Sequence, residues 1–388
     1  MICALPFLGI SAQKPTMSYG LDYSYGKFLS GDQYGKEIVR NSRFSSYSLY
    51  TSWQYNDSSP YDSIFGRPHI EVGINLSDFN GLYLQRTGST AQSRIGVIPV
   101  VYGKFVRDLL TTSGPMPFRL GYSFSNGIGY CFHPYSYPDN QDNEFIGSRF
   151  LIYFASELHA ALRIHPNLEI IAAGGFKHLS NSALNRPNKG TNAVDFTIGL
   201  KYYHCDTPSP RRRSYYHVPI KKKLHLDLSA GLNLHSFMEE WLLHHSSPRS
   251  RTAEFTLSPS FAASLSAMYR YRLHLSYGIG LDYIYASYYR HVRQLDQERG
   301  YTDERYTPHV LGISLKHEAR YRQLSVHCGL GYYLHRRMGQ LVHVLDKPYY
   351  ETIGLRYYIP YTPIYISYHV MAHLLMANSM QFNVGIVL

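Results

Sequence analysis

Apolar and polar residues alternate with a period of two over unusually long stretches. From Leu224 to Leu234, Leu224, Leu226, Leu228, Ala230, Leu232 and Leu234 share one face, while His225, Asp227, Ser229, Gly231 and Asn233 share the other. Tyr271 to Tyr283 reads the same way, and so do Ile364 to Leu374 and Met380 to Leu388. A period of two is that of a β-strand. Ordinary strands average about 5 to 6 residues, and these runs are about twice as long. Long strands with one apolar face, a Gly-rich or polar opposite face and aromatic ends are the pattern of a transmembrane β-barrel. Lipid offers no partner to a backbone amide or carbonyl, so such a sheet must close on itself. The expected fold class is therefore all-β, an antiparallel transmembrane barrel. A soluble β-sandwich, the alternative, calls for shorter strands.

Composition removes other classes. The 388 residues include 38 Tyr and are 44% hydrophobic, too apolar for a disordered chain. No run of about 18 apolar residues exists to form a membrane helix. Four Cys do not make a disulfide scaffold. The net charge of +11 suits either nucleic acid or anionic lipid. Apart from Arg211-Arg212-Arg213 and Lys221-Lys222-Lys223 the basic residues are scattered, and no nucleic-acid-binding motif accompanies them. That favours lipid over nucleic acid.

Residues 1–12 carry no charge and read as the apolar part of a secretory signal, with cleavage after Ala12. The charged n-region is missing, so the true start is expected upstream. The mature barrel is expected over 13–388. Cys131, Cys205 and Cys328 then remain, enough for at most one disulfide.

Strands are expected to begin near Ser45, Pro68, Arg94, Phe118, Phe150, Leu168, Asn192, Leu224, Phe255, Tyr271, His309, Leu324, Thr352, Ile364 and Met380, with one more between Tyr19 and Arg40. This gives roughly 14 to 16 strands. The long basic segment Cys205 to Lys223 breaks the pattern and fits a linker between two eight-stranded units. A single barrel is the preferred reading.

The stretch from Phe176 to Asn192 differs in character. His178 and Ser180 are two residues apart, and so share a strand face. A Ser becomes a nucleophile beside a base, and His is the usual one. Leu168, Ile170, Ala172, Gly174 and Phe176 have the same parity. The pair is therefore expected on the lipid side, at the outer end of its strand, where a polar pair suits an ester bond at headgroup level. Asn192 opens the next strand with the same outward parity, whereas Asp195 has the opposite one and should face the lumen.

This run, His-x-Ser-Asn followed by the Pro187-Asn188-Lys189-Gly190 loop, resembles the lipid A 3-O-deacylase (PagL-type) and acyloxyacyl hydrolase-like family of outer-membrane β-barrels. The resemblance implies that His178 is the general base and Ser180 the nucleophile. It implies an oxyanion hole from Asn181 and the neighbouring Ser182 and Ala183, with Asn188 and Gly190 supporting the loop. The third catalytic position, Glu in the family, falls on Asn192. Asn can orient a His but does not stabilise the imidazolium as a carboxylate does, which leaves Asp195 as a second candidate. The likeness is expected over about 45–204, an eight-stranded first half, with further barrel strands over 223–388. It implies an outer-membrane esterase with lipid A or lipopolysaccharide as substrate and no cofactor.

A pore or transport barrel is the rival, motivated by the His- and Arg-rich inner parity and a lumen of 14 to 16 strands. A structural barrel and a non-catalytic relative are the others. His244-His245 beside Glu239-Glu240 is a weak metal candidate. Gly127-Ile128-Gly129 and Gly278-Ile279-Gly280 read as lumen-side glycines, and Tyr288-Tyr289 and Tyr349-Tyr350 as interfacial girdle residues.

Overall fold

The computed structural model describes residues 15–31, 33–55, 59–137, 139–204, 223–246, 257–344, 346–374 and 376–388. The signal reading of 1–12 and the basic segment 205–222 lie outside the described residues, as do the side chains of His244 and His245.

The N-terminal half folds as β1 (Thr16–Leu29), α1 (Gln33–Ile38), β2 (Val39–Gln54), α2 (Pro60–Phe65), β3 (His69–Asp78), β4 (Leu82–Leu84), β5 (Val97–Thr111), β6 (Phe118–Tyr130), β7 (Phe150–His165), β8 (Leu168–Ser180) and β9 (Thr191–Tyr203). The C-terminal half gives β10 (Lys223–Ser236), α3 (Met238–Ser246), β11 (Leu257–Arg272), β12 (Leu275–Tyr285), α4 (Tyr289–Glu298), β13 (His309–Tyr321), β14 (Leu324–His335), α5 (Leu341–Val344), β15 (Tyr349–Tyr358), β16 (Ile364–His373) and β17 (Met376–Val387).

The strands close two rings, not one. In the first, the order is β1-β9-β8-β7-β6-β5-β3-β2, and β2 returns to β1 from Thr16↔Gln54 to Lys27↔Arg43. The short β4 pairs with the outer end of β2. In the second, β10 to β17 follow in sequence, and β17 returns to β10 from Leu234↔Met380 to Asp227↔Val387. The expected single barrel is thereby corrected. One ring would need β9 beside β10 and β17 beside β1, whereas β9 pairs with β1 and β17 with β10. Alternation dictates which residues face outward. It carries no information on which edges meet, and two eight-stranded closures leave no free edge just as one larger ring does.

Contacts divide the chain into two compact units. The second consists of His133–Arg149, Ser180–Gly190 and Pro219–Leu388, so it holds the second ring together with two loop segments of the N-terminal half. The first holds the remainder, including β1 to β7, β9 and β8 up to Leu179.

Alternation survives in three dimensions. On the first ring Leu21, Leu49, Ile74, Val101, Ile128 and Ile198 are exposed, and on the second Leu232, Leu265, Ile279, Leu315, Ile353 and Val384 are. So much outward apolar surface is foreign to a water-soluble surface and suits lipid. The opposite parity fills each lumen with paired charge. Lys104 meets Glu157 at 2.5 Å, Arg119 meets Asp108 at 2.7 Å and Lys201 meets Glu71 at 2.6 Å in the first ring. Arg356 meets Asp227 at 2.5 Å and Lys316 meets Asp282 at 2.8 Å in the second. Eight strands enclose a space just wide enough for side chains to fill. The pore reading rested on one ring of 14 to 16 strands, whereas each ring closes with eight.

Two smaller readings also change. Tyr271 to Tyr283 is not one strand: β11 ends at Arg272, Leu273 and His274 make a turn, and β12 begins at Leu275. A two-residue turn keeps the phase of the alternation, so the sequence pattern runs through it unbroken. Tyr350 and Tyr288 are not girdle residues. Tyr350 is buried in a cluster with Phe237, Val292, Leu295, Met338 and Met371, against which Tyr288 packs.

Candidate active site

Strand β8 is exposed along Ile170 and Gly174 and buried at Glu169, Ala173, Lys177 and Leu179. His178 and Ser180 share the parity of Ile170 and Gly174. His178 is half-buried and lies parallel to the ring of Phe176, with 6.4 Å between centroids. Ser180 ends the strand and is buried.

The β8–β9 ladder puts His178 directly opposite Asn192. His178 Nδ1 lies 2.8 Å from Asn192 Oδ1. With the amide oxygen accepting, the imidazole proton sits on Nδ1 and the Nε2 lone pair is left for a hydroxyl. Asp195 faces the other way. It is buried in the lumen, and Lys177 Nζ lies 2.5 Å from its Oδ2. Lys177 also donates to Ser24 Oγ and Ser46 Oγ, at 2.8 and 3.0 Å. Asp195 is thus part of the lumen ion-pair network, and Asn192 holds the position next to the imidazole.

The loop after Ser180 is tightly held. Asn181 N donates to Asn188 Oδ1 at 3.0 Å, and Asn181 Nδ2 to Asn185 O at 3.1 Å. Both kinds of Asn181 donor therefore act within the loop, and the Asn188 side chain accepts one of them. Ser182 and Ala183 both have positive φ, 51° and 65°. That conformation costs a non-glycine residue about 1–3 kcal/mol and persists only where surroundings impose it. Gly190 has φ 69°, which glycine adopts freely, and its amide donates to Phe145 O at 2.9 Å. Asn185 Nδ2 donates to Gly147 O at 2.7 Å. Gly147 passes so close that a Cβ there would lie 2.4 Å from Pro187 O.

Sequence reasoning missed two contributors. Arg186 is buried, and burial pulls its guanidinium down to about 10, opposed by Glu239 and Asp346. Its Nε and Nη2 donate to Ser236 O at 3.3 and 3.1 Å. Ser236, at the end of β10, had no sequence signal: its link to the loop is made in space, about fifty residues along the chain. Among the described residues no group of three His, Cys, Asp or Glu is placed to hold a metal ion.

Fold and site together describe an outer-membrane-type β-barrel protein carrying a Ser and a His on the outward parity of one strand. Residues 114–201, which include β8 and its loop, match the family model for lipid A 3-O-deacylase (PagL), and residues 245–388 match that for the acyloxyacyl hydrolase C-terminal domain. Each of these two segments is thus similar to a PagL-type family. Those matches support lipid A deacylation in general terms and fit an outer-membrane protein.

A comparison with curated proteins found no match. Among solved structures, a mutant of the Rh. blastica porin is 6% identical, with 96% of this chain and 100% of that one covered and a TM-score of 0.17. The Pseudomonas putida toluene transporter TodX is 8% identical, with 97% and 89% covered and a TM-score of 0.17. The ferric enterobactin receptor PfeA is 10% identical, with 93% and 54% covered and a TM-score of 0.23. Likeness at these scores carries no argument about this chain.

Proposed function

We propose that this protein is an outer-membrane serine esterase that removes an ester-linked acyl chain from lipid A, with its Ser-His pair on the lipid-facing side of the first barrel. The observation that carries the reading is the 2.8 Å contact of His178 Nδ1 with Asn192 Oδ1, on the strand whose next residue of the same parity is Ser180. The match of residues 114–201 to the lipid A 3-O-deacylase (PagL) family model supports the same assignment.

Ser180 Oγ attacks the ester carbonyl while His178 Nε2 takes its proton. Asn192 holds the ring in register through Nδ1. The tetrahedral oxyanion is stabilised by the amides of Ser182 and Ala183, whose backbone is fixed in an unusual conformation, with Asn181 shaping the loop. Collapse breaks the ester bond, and the imidazolium returns its proton to the leaving sugar hydroxyl. Water, deprotonated by His178, then cleaves the acyl-enzyme and releases the fatty acid. The outward position brings the acyl chain to the pair from the lipid itself. The positive net charge favours an anionic, phosphorylated substrate.

A fluorophosphonate ester, which labels activated serines, tests the reading directly. The wild-type barrel should be labelled at Ser180 and His178→Ala should not. Absence of label on a folded wild-type barrel would contradict the nucleophile assignment.

A further inference from the structure

We propose that Ser236 is a positioning residue for the oxyanion loop, an inference that rests on the esterase reading above. Every polar group of Ser236 is turned to the loop that follows Ser180. Its amide donates to Ala183 O at 3.0 Å, and its hydroxyl donates to the same oxygen at 2.6 Å. Its own carbonyl accepts from Arg186 Nε and Nη2. Ser236 and Ala183 are fully buried and Arg186 nearly so, so water does not compete for these bonds.

The need for such a clamp is local. Ser182 and Ala183 adopt successive left-handed conformations without being glycine. Left to itself, a segment of this kind relaxes to ordinary backbone angles. Leu184 N donates to Asn181 O at 3.0 Å and closes a turn across the pair, while the other bonds of Asn181, with Asn185 and Asn188, close the loop around it. The two bonds to Ala183 O anchor that turn to β10. Arg186 ties the far side of the same loop to the same residue, so the strained segment is held from both flanks. Oxyanion donors act only when their orientation is fixed before the reaction. Fixing the Ala183 peptide fixes the turn that carries the Ser182 and Ala183 amides. Ser236 touches no reacting atom and acts through that turn.

The test is Ser236→Ala, with Ser236→Thr as the conservative variant, in the full-length protein in detergent micelles containing lipid A. Loss of the hydroxyl bond should lower kcat about tenfold and leave KM unchanged, because the donors act only in the transition state. Titration with the fluorophosphonate should still find the same fraction of reactive Ser180. Ser236→Thr, which keeps a hydroxyl, should recover most of kcat. An unchanged kcat in Ser236→Ala, or a loss of kcat matched by a loss of titratable sites, would overturn the proposal.

Hydrogen exchange separates this claim from the esterase reading. In Ser236→Ala the amides of residues 182–184 should exchange at least tenfold faster, with those of β8 and β10 unchanged. Equal exchange in the two proteins overturns the clamp whatever the activity. Faster exchange with no acyl release by wild type upholds the clamp and removes the esterase.

Discussion

His178 Nδ1 and Asn192 Oδ1 sit 2.8 Å apart across one rung of the β8–β9 ladder. The contact assigns the imidazole its tautomer and its direction. A neutral amide does so without the charge that would stabilise an imidazolium. Asn192→Ala should therefore lower kcat by about 10 to 100-fold with little change in KM, since general-base catalysis is worth about that much or more. Steady-state release of fatty acid from lipid A micelles measures it.

Asn192→Glu supplies the missing charge. A carboxylate beside the ring favours the protonated imidazole and so raises the pKa of His178. The acid limb of the pH–rate profile should move to higher pH, with kcat at the plateau equal to or above wild type. A limb that stays in place would show that residue 192 does not bear on the base.

Lys177 and Asp195 make a different prediction because they lie on the lumen face. Lys177→Met leaves Asp195 buried without its partner, which costs about 3–5 kcal/mol. The double variant Lys177→Met, Asp195→Leu should recover most of that stability. Resistance of the folded band to heating in detergent before electrophoresis reads both.

Glu239, in α3 and outside the barrel strands, is pushed up by burial to about 7, with Asp296 and Asp346 adding to the push. Its folded pKa is raised above the unfolded value of 4.5. Its contribution to stability is thus fully present below about 4.5 and is lost as pH rises through about 7. Glu239→Gln should stabilise the protein relative to wild type at pH 8, by at most about 3 kcal/mol, and make little difference at pH 4. Paired melting curves at those pH values check the sign.

Gly147→Ala tests the close approach of the two loop segments. The new Cβ would meet Pro187 O at 2.4 Å and Arg186 C at 2.6 Å, both backbone atoms that cannot swing aside. The loop must shift. Esterase activity should fall at least tenfold while the barrel band on the gel is unchanged.

Much of the fold was legible because a strand exposed to lipid on one face and to a charged lumen on the other has no freedom in its parity. β6, β7, β8, β13, β14 and β16 begin at Phe118, Phe150, Leu168, His309, Leu324 and Ile364, where the alternation places them. Parity also sorted Asn192 from Asp195. Closure was not legible, since the edges of β1, β9, β10 and β17 look alike in sequence and only pairing tells them apart. The turn at Leu273-His274 was hidden because it preserves phase. Within the site, His178, Ser180 and Asn192 lie within one hairpin and could be read together. Ser236 could not, because its bonds to Ala183 and Arg186 depend on where β10 ends in space.

The most direct test of the central claim is mass spectrometry of lipid A from Gram-negative cells expressing the protein or its Ser180→Ala variant. With both barrels folded in the outer membrane, wild type should remove the mass of one ester-linked acyl chain and Ser180→Ala should leave lipid A intact. Unaltered lipid A in both strains, or equal deacylation in both, would contradict the account.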